Sequence, residues 1–465
     1  MSPKLIRIAA LAGLAGVAAL LAQPPVGAQL PAGRVGASPV PTATTPVPAE
    51  GGPVTAESGD GPLITITADR SDGMYEVGDK AKFTIEVKYP RPVAAGARIT
   101  VRMMSLGAGI LKDFDHHTTD APLVVEGSLA QPGVLMIHAV PDRNRPMQFR
   151  AEAAAGFAIR EIRPAQTAPD DFMAFWLEQR GLLARIPTGL TVTPEEKYSD
   201  ESILNLRVSF NTLEGKRFHG WLDRPRKPGK YPALIRVLGG AVMAIPAGPT
   251  GGGYSFAKRY GCLSFTASVH DLPLDNPNEF YRRLETREGP LHQYWNHGLE
   301  SPATHFYRSV IAGLLRAIDF LTAQEDWDGR TLIVLGGSQG GAAAYWMAGL
   351  DSRVTAMVAK VPAFTELGVL STADPRVRYF KDPDTPDTIR SRAYYDPVFF
   401  ARYVQANSLV IEGLMDGNIR GGIAAFNSIP HERKRLAIDP KAGHTMRDSK
   451  ILNTAQDEFF REILK

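Results

Sequence analysis

Residues Thr331 to Leu335 form an apolar run that stops on Gly336-Gly337-Ser338-Gln339-Gly340-Gly341 and continues into Ala342-Ala343-Ala344-Tyr345-Trp346-Met347-Ala348. The first stretch reads as a buried strand, and the small residues that follow read as a helix packed close to a sheet. A serine between glycines at such a junction sits on a turn too tight for a β-carbon on either flank. Strain there lifts the hydroxyl above the sheet, where a base and a substrate carbonyl can both reach it. The chemistry that fits is hydrolysis or acyl transfer through Ser338. The competing reading is a glycine-rich turn whose serine caps the next helix.

A nucleophilic serine needs a base, and in this strand-turn-helix arrangement the chain order is serine, acid, histidine. Two histidines follow Ser338. His431, in His431-Glu432-Arg433-Lys434, reads as part of a solvated helix end. His444 lies in Lys441-Ala442-Gly443-His444, just after an apolar strand ending at Ile438, and the carboxyl ends of strands are where such sheets place their chemistry. His444 is therefore the predicted base, with His431 as the alternative.

Asp416, after the strand Ser408 to Leu414, is the predicted acid that orients the imidazole. Asp396, in Tyr395-Asp396-Pro397, is the rival and reads better as a helix cap. Two backbone N–H groups should hold the oxyanion. One is that of Gln339. The second comes from Leu238-Gly239-Gly240, after the strand Ala233 to Val237, with Leu238 taken as donor and Gly239 as the alternative. No metal and no cofactor is required.

These residues need a framework. Beyond Ala165 the pattern alternates between helix and strand: a helix over 170–183, strands at 203–210, 218–222, 233–237 and 263–267, and a helix over 306–321. Strands at 356–361, 408–414 and 434–438 follow the nucleophile. That rhythm predicts an α/β domain over 165–465 with a mostly parallel sheet covered on both faces. Before it, 62–164 alternates apolar and polar residues in six short runs, at 63–67, 81–87, 97–101, 123–127, 134–139 and 148–153. These predict a small all-β sandwich, immunoglobulin-like in size.

The amino-terminal end reads as an address. Lys4 and Arg7 precede an apolar run from Ile8 to Ala22, and Val26-Gly27-Ala28 offers small residues for cleavage near Ala28. The run is shorter than the ~20 residues a spanning helix needs. Residues 1–28 are thus read as a signal peptide, and 29–61, rich in Pro, Ala and Gly, as a flexible linker. Export to the periplasm or the outside, with no membrane insertion after cleavage, is the expectation. Cys262 is the only cysteine of the 465 residues, so no intramolecular disulfide can form. The formal charge of +3 drops to about +1 without Lys4 and Arg7. That balance does not recruit nucleic acid and suits a weakly charged substrate; it leaves the oligomeric state open.

Other residues with chemical potential read less sharply. Asp113-Phe114-Asp115-His116-His117 has ligand-type side chains, but adjacent strand residues point to opposite faces, and a solvated loop is the expectation. Gly251-Gly252-Gly253 lacks the lysine of a phosphate loop and reads as a flexible turn. His270 and Asp271 suit either a substrate contact or a structural hydrogen bond. Trp295, His297 and Tyr307 suit either core packing or a sugar platform.

From Asp170 to the end, the chain resembles the acetyl xylan esterase and cephalosporin-C deacetylase group of α/β-hydrolases, carbohydrate esterase family 7. The resemblance rests on Gly336-Gly337-Ser338-Gln339-Gly340-Gly341, on Gly413-Leu414-Met415-Asp416 with Ala425-Phe426-Asn427, and on Gly443-His444. Asp171-Phe172, Phe175-Trp176 and Gly220-Trp221-Leu222 add to it. It implies an α/β-hydrolase fold, a triad of Ser338, Asp416 and His444, and removal of acetyl groups from sugar hydroxyls. The chain departs from the family at Arg236-Val237-Leu238, where His-Gly-Tyr is usual, and at Ser268 to Pro273, where the family's Arg-Gly-Gln is missing. The loop Pro273 to Tyr294 is a candidate pocket wall.

The function expected on these grounds is a secreted serine carboxylesterase acting on acetylated carbohydrate or another small ester. The alternatives are a prolyl-oligopeptidase-type serine peptidase and a non-catalytic binding protein on a hydrolase scaffold.

Overall fold

Alternating apolar and polar residues build the first part of the chain. The computed structural model describes residues 62–89, 98–119, 121–141, 150–367, 385–446 and 449–465; the leader and linker read from 1–61 lie outside them. Eight strands come first: β1 (Leu63–Ala68), β2 (Met74–Tyr75), β3 (Ala81–Lys88), β4 (Arg98–Ser105), β5 (Gly109–His117), β6 (Leu123–Gly127), β7 (Gly133–Val140) and β8 (Ala151–Phe157). They make a three-stranded sheet, β1-β3-β6, and a five-stranded sheet, β2-β8-β7-β4-β5. In β3 the pattern is strict: Ala81, Phe83 and Ile85 are buried, while Lys82 and Glu86 are exposed. These side chains meet Ile99, Val101, Leu135 and Ile137 of the other sheet in one core.

Two of these eight strands, β2 and β5, lie beyond the sequence expectation, as β9 (Thr191–Pro194) does later in the chain. The stretch Asp113 to His117 is not a solvated loop but the end of β5, an edge strand paired with β4 from Arg98↔His117 to Ser105↔Gly109. The turn between them uses Gly107 and Gly109 at φ 88° and 95°, a region glycine enters without steric cost. Strand β2 pairs with β8 in parallel, whereas the other pairings among the first eight strands are antiparallel.

Strand β7 is buried at seven consecutive positions. Leu135, Ile137 and Ala139 face the sandwich core, while Val134 and Met136, with Met104 and Ala154, join the core of the next part of the chain. The five-stranded sheet is therefore covered on both sides.

That next part is a nine-stranded sheet in the order β17-β16-β15-β14-β12-β13-β11-β10-β9. Its strands are β9 (Thr191–Pro194), β10 (Ile203–Asn211), β11 (Arg217–Pro225), β12 (Tyr231–Val237), β13 (Leu263–Ala267), β14 (Trp327–Gly337), β15 (Ala356–Lys360), β16 (Asn407–Gly413) and β17 (Lys434–Asp439). From β13 to β17 the neighbours run parallel, and β11, β10 and β9 close the sheet antiparallel.

Among the described residues the α-helices are α1 (Phe172–Ala184), α2 (Gly252–Tyr260), α3 (Asn278–Glu285), α4 (Tyr307–Thr322), α5 (Gln339–Leu350), α6 (Pro386–Ala393), α7 (Pro397–Phe400), α8 (Ile419–Ser428) and α9 (Lys450–Ile463). In β14, Leu332 and Val334 pack with residues of α4 and α5, while Ile333 and Leu335 pack with Phe256 and Tyr260 of α2 and Phe459 and Phe460 of α9. Burial on both faces is what its continuous apolar run encodes. Gly251 to Gly253 is not a flexible turn: Gly252 opens α2, and Gly253 lies where a β-carbon would come within 2.5 Å of Thr266 Oγ1.

Candidate active site

The strand-to-helix junction carries the strain its glycines imply. Ser338 has φ 56° and ψ −120°, a conformation a non-glycine residue keeps only when its surroundings enforce it. A β-carbon on Gly336 would lie 2.2 Å from Gly340 O, and one on Gly340 would lie 2.2 Å from Val237 O. The main chain is pinned as well: Ser338 N–H donates to Lys360 O at 2.9 Å, and Ser338 O accepts from Ala342 and Ala363. The serine side chain does not cap α5, which answers the competing reading of the motif.

Above the junction, three side chains from three strand ends make one hydrogen-bonded line. His444, in the loop after β17, places Nε2 3.0 Å from Ser338 Oγ and Nδ1 2.8 Å from Asp416 Oδ2. An ionised carboxylate only accepts, so Nδ1 carries the proton toward Asp416 and leaves Nε2 free to accept from the serine. Asp416 is 4% exposed, and its other oxygen accepts from Asn418 N–H at 2.9 Å. Asn418, which the sequence reading did not single out, also donates through Nδ2 to Pro362 O and Thr365 Oγ1, tying the loop after β16 to the segment after β15. The hydrogen bond to Asp416 raises the His444 pKa above the ordinary histidine value, and burial opposes it.

The rivals stand elsewhere. Asp396 is the N-cap of α7, accepting from Val398 N–H and, on its second oxygen, from Leu367 N–H, each at 2.9 Å. His431 is in the turn before β17 rather than at a helix end.

The second oxyanion donor requires a correction. Leu238 N–H donates to Ala267 O at 2.9 Å, because the β12–β13 pairing continues one residue past the strand, so it is not available to a substrate. Among the described residues nothing accepts the N–H of Gly239, and a β-carbon there would lie 3.8 Å from Ser338 Cβ, an ordinary van der Waals contact that places this arm beside the nucleophile. Gln339 opens α5, and a first-turn N–H has no partner within its own helix.

Around this site, His270 is buried and meets the Tyr294 ring edge-on at 4.6 Å between centroids, and burial pushes its pKa down to about 4. Asp271 has φ 52° and sits 3.5 Å from Ser309 Oγ; burial pushes its carboxyl up to about 7. Tyr307 is core, 1% exposed, Trp295 is partly buried against that core, and His297 is exposed.

This fold and this arrangement define a serine ester hydrolase of the α/β-hydrolase class. The family model described as acetyl xylan esterase (AXE1) matches residues 157–461. The chain belongs to the acetyl xylan esterase family. It is 28% identical over 362 residues to acetyl esterase Axe7A of Xylanibacter ruminicola, covering 75% of this chain and 79% of that one. That span is longer than the family-matched stretch, so the likeness to this relative runs into the β-rich part.

Among solved structures, an acetyl xylan esterase from Paenibacillus sp. R4 superposes with a TM-score of 0.54 at 23% identity, covering 65% of this chain and 98% of that one. Acetyl xylan esterase 1 from Thermoanaerobacterium sp. JW/SL YS485 does so with 0.52 at 17% identity, covering 69% and 99%. Likenesses at that identity show the shared fold. No helix among the described residues is long and apolar enough to cross a membrane.

Proposed function

We propose that the chain is an exported carbohydrate esterase that removes acetyl groups from polysaccharide or oligosaccharide hydroxyls through an acyl-enzyme on Ser338. The observation that carries this reading is the single line Ser338–His444–Asp416, with 3.0 and 2.8 Å steps. Ser338 Oγ attacks the acetyl carbonyl as its proton passes to His444 Nε2. Asp416 stabilises the imidazolium and holds the tautomer. The N–H groups of Gln339 and Gly239 receive the oxyanion. The imidazolium then gives its proton to the departing sugar oxygen. Water, activated by the same Nε2, attacks the acyl-serine and releases acetate.

Membership in the acetyl xylan esterase family supports acetyl as the acyl group, as does the name of the Xylanibacter ruminicola relative. Lys4, Arg7 and the apolar run to Ala22 support export, with cleavage near Ala28. In this reading 1–28 is the leader, 29–61 the linker, 62–164 the sandwich and 165–465 the catalytic part.

The test compares wild type with Ser338→Ala on p-nitrophenyl acetate, acetylated xylan, acetylated monosaccharides and short peptides. The expected outcome is acetate release by the wild type, a fall of at least about 10,000-fold in the variant and no peptide cleavage. Equal rates for the two proteins would remove the proposal.

A further inference from the structure

On the reading that Ser338 is the nucleophile, we propose that Tyr294 is a positioning residue that clamps together the two arms of the oxyanion hole. Its Oη lies 2.9 Å from the carbonyl oxygen of Gly240, in the arm that carries Gly239, and 2.6 Å from Oε1 of Gln339, whose backbone N–H is the other arm. Tyr307 Oη reaches the same Oε1 at 2.8 Å. Two phenols thus bring two hydrogens to two carbonyl oxygens, with Tyr294 placed to serve either.

All three side chains are buried: Tyr294 is 0% exposed, Tyr307 1% and Gln339 8%. In such surroundings an unmade hydrogen bond costs the full desolvation of the group left behind, so the clamp is strongly specified. Burial also raises both phenol pKa values, so each hydroxyl keeps its proton through the working pH range.

Something must hold the first arm, because Leu238-Gly239-Gly240 has little stiffness of its own. Gly240 approaches the clamp so closely that a β-carbon there would come 2.5 Å from Gln339 Nε2 and 2.9 Å from Tyr294 Oη. The tyrosine itself is anchored. It opens a single 3-10 turn, its carbonyl accepts from His297 N–H at 3.0 Å, and its ring is boxed by His270, Trp295 and Phe306. Oxyanion donors work only within a few tenths of an ångström of their ideal position, so a hydroxyl held between an acceptor of each arm, giving its one hydrogen to either, acts on the transition state rather than on substrate binding.

The experiment is steady-state kinetics of full-length Tyr294→Phe on p-nitrophenyl acetate, together with inhibition by a trifluoromethyl ketone, whose bound oxyanion occupies the hole. The expected result is a fall in kcat of about 10-fold or more with KM within about twofold, and an equal loss of inhibitor affinity. The acid limb of the pH profile should stay in place, since His444 and Asp416 are untouched. Gln339→Leu keeps its backbone N–H, removes the same bond from the other side and should match it. The double variant should then be no worse than either single one.

Wild-type kcat and inhibitor affinity in Tyr294→Phe would overturn the clamp, as would losses that vanish once rates are normalised to titrated active sites. If Tyr294→Phe does not fold, Gln339→Leu decides by the same readouts. An active Ser338→Ala would instead sink the reading on which the clamp rests.

Discussion

Gly73 of the sandwich and Leu414 of the enzyme core touch so closely that a β-carbon on Gly73 would lie 2.5 Å from Leu414 Cδ2. Leu414 stands two residues before Asp416, and the same added atom would lie 3.7 Å from Pro440 Cβ, four residues before His444. The sandwich therefore packs against the start of the loop that carries the carboxylate and lies close to the loop that carries the imidazole. Gly73→Ala also meets φ 68°, so it should destabilise the fold by roughly 1–3 kcal/mol and lower kcat. Thermal unfolding and kcat measured on the same preparation check this. An unchanged melting temperature and rate would show that the contact is slack.

Asp416→Asn keeps the shape of the acid but replaces an obligate acceptor with an amide. Facing Nδ1, that amide can favour the wrong tautomer, with the proton on the nitrogen that must accept from Ser338. A fall in kcat of about 10,000-fold is expected, with KM little changed. A loss below tenfold in stopped-flow or steady-state assays would remove Asp416 from the role given to it.

The pH profile follows from the same pair. In the proposed mechanism His444 acts as base only when neutral, and the hydrogen bond to Asp416 raises its pKa above the ordinary 6.5. So kcat/KM should rise with pH along an acid limb whose midpoint lies above that value, and the limb should move down in Asp416→Asn. Stability runs the other way. A group whose folded pKa is raised stabilises fully below its unfolded value and loses that contribution as pH rises through the folded value. Denaturant midpoints of wild type and His444→Gln should therefore differ more at pH 5.5 than at pH 8.5.

Glu366 is nearly inaccessible, its side chain 3% exposed, and it pairs with Arg420 while accepting from Ala165 N–H at 2.8 Å. Arg420→Ala would leave that buried carboxylate without its cation, at a cost of about 3–5 kcal/mol. Calorimetry should show a large drop in melting temperature. A small one would mean that the buried carboxylate does not depend on Arg420.

Local sterics made much of this legible in the sequence. The serine turn declares itself because Gly336 answers to the backbone of Gly340 in the same turn, and Asp416 and His444 each follow an apolar run of strand length. Features decided by distant parts of the chain stayed hidden. Whether Leu238 or Gly239 offers a free N–H depends on how far β12 and β13 stay paired, which no local pattern states. Strand β5, an exposed edge with charges on both sides, shows no alternation to find. The bond from Tyr294 to Gln339 joins residues 45 apart in sequence. Only tertiary packing reveals why a buried phenol follows a charged loop.

The two-sided burial of β7 makes the sandwich a party wall rather than an appendage. Even-numbered residues of the strand furnish one room and odd-numbered residues the other. Neither room can be vacated without exposing the other to water, so both parts should melt in one cooperative event. Nor can evolution or an engineer cut, swap or shuffle the sandwich as an interchangeable bead. Any replacement would have to supply the inner lining of the enzyme as well.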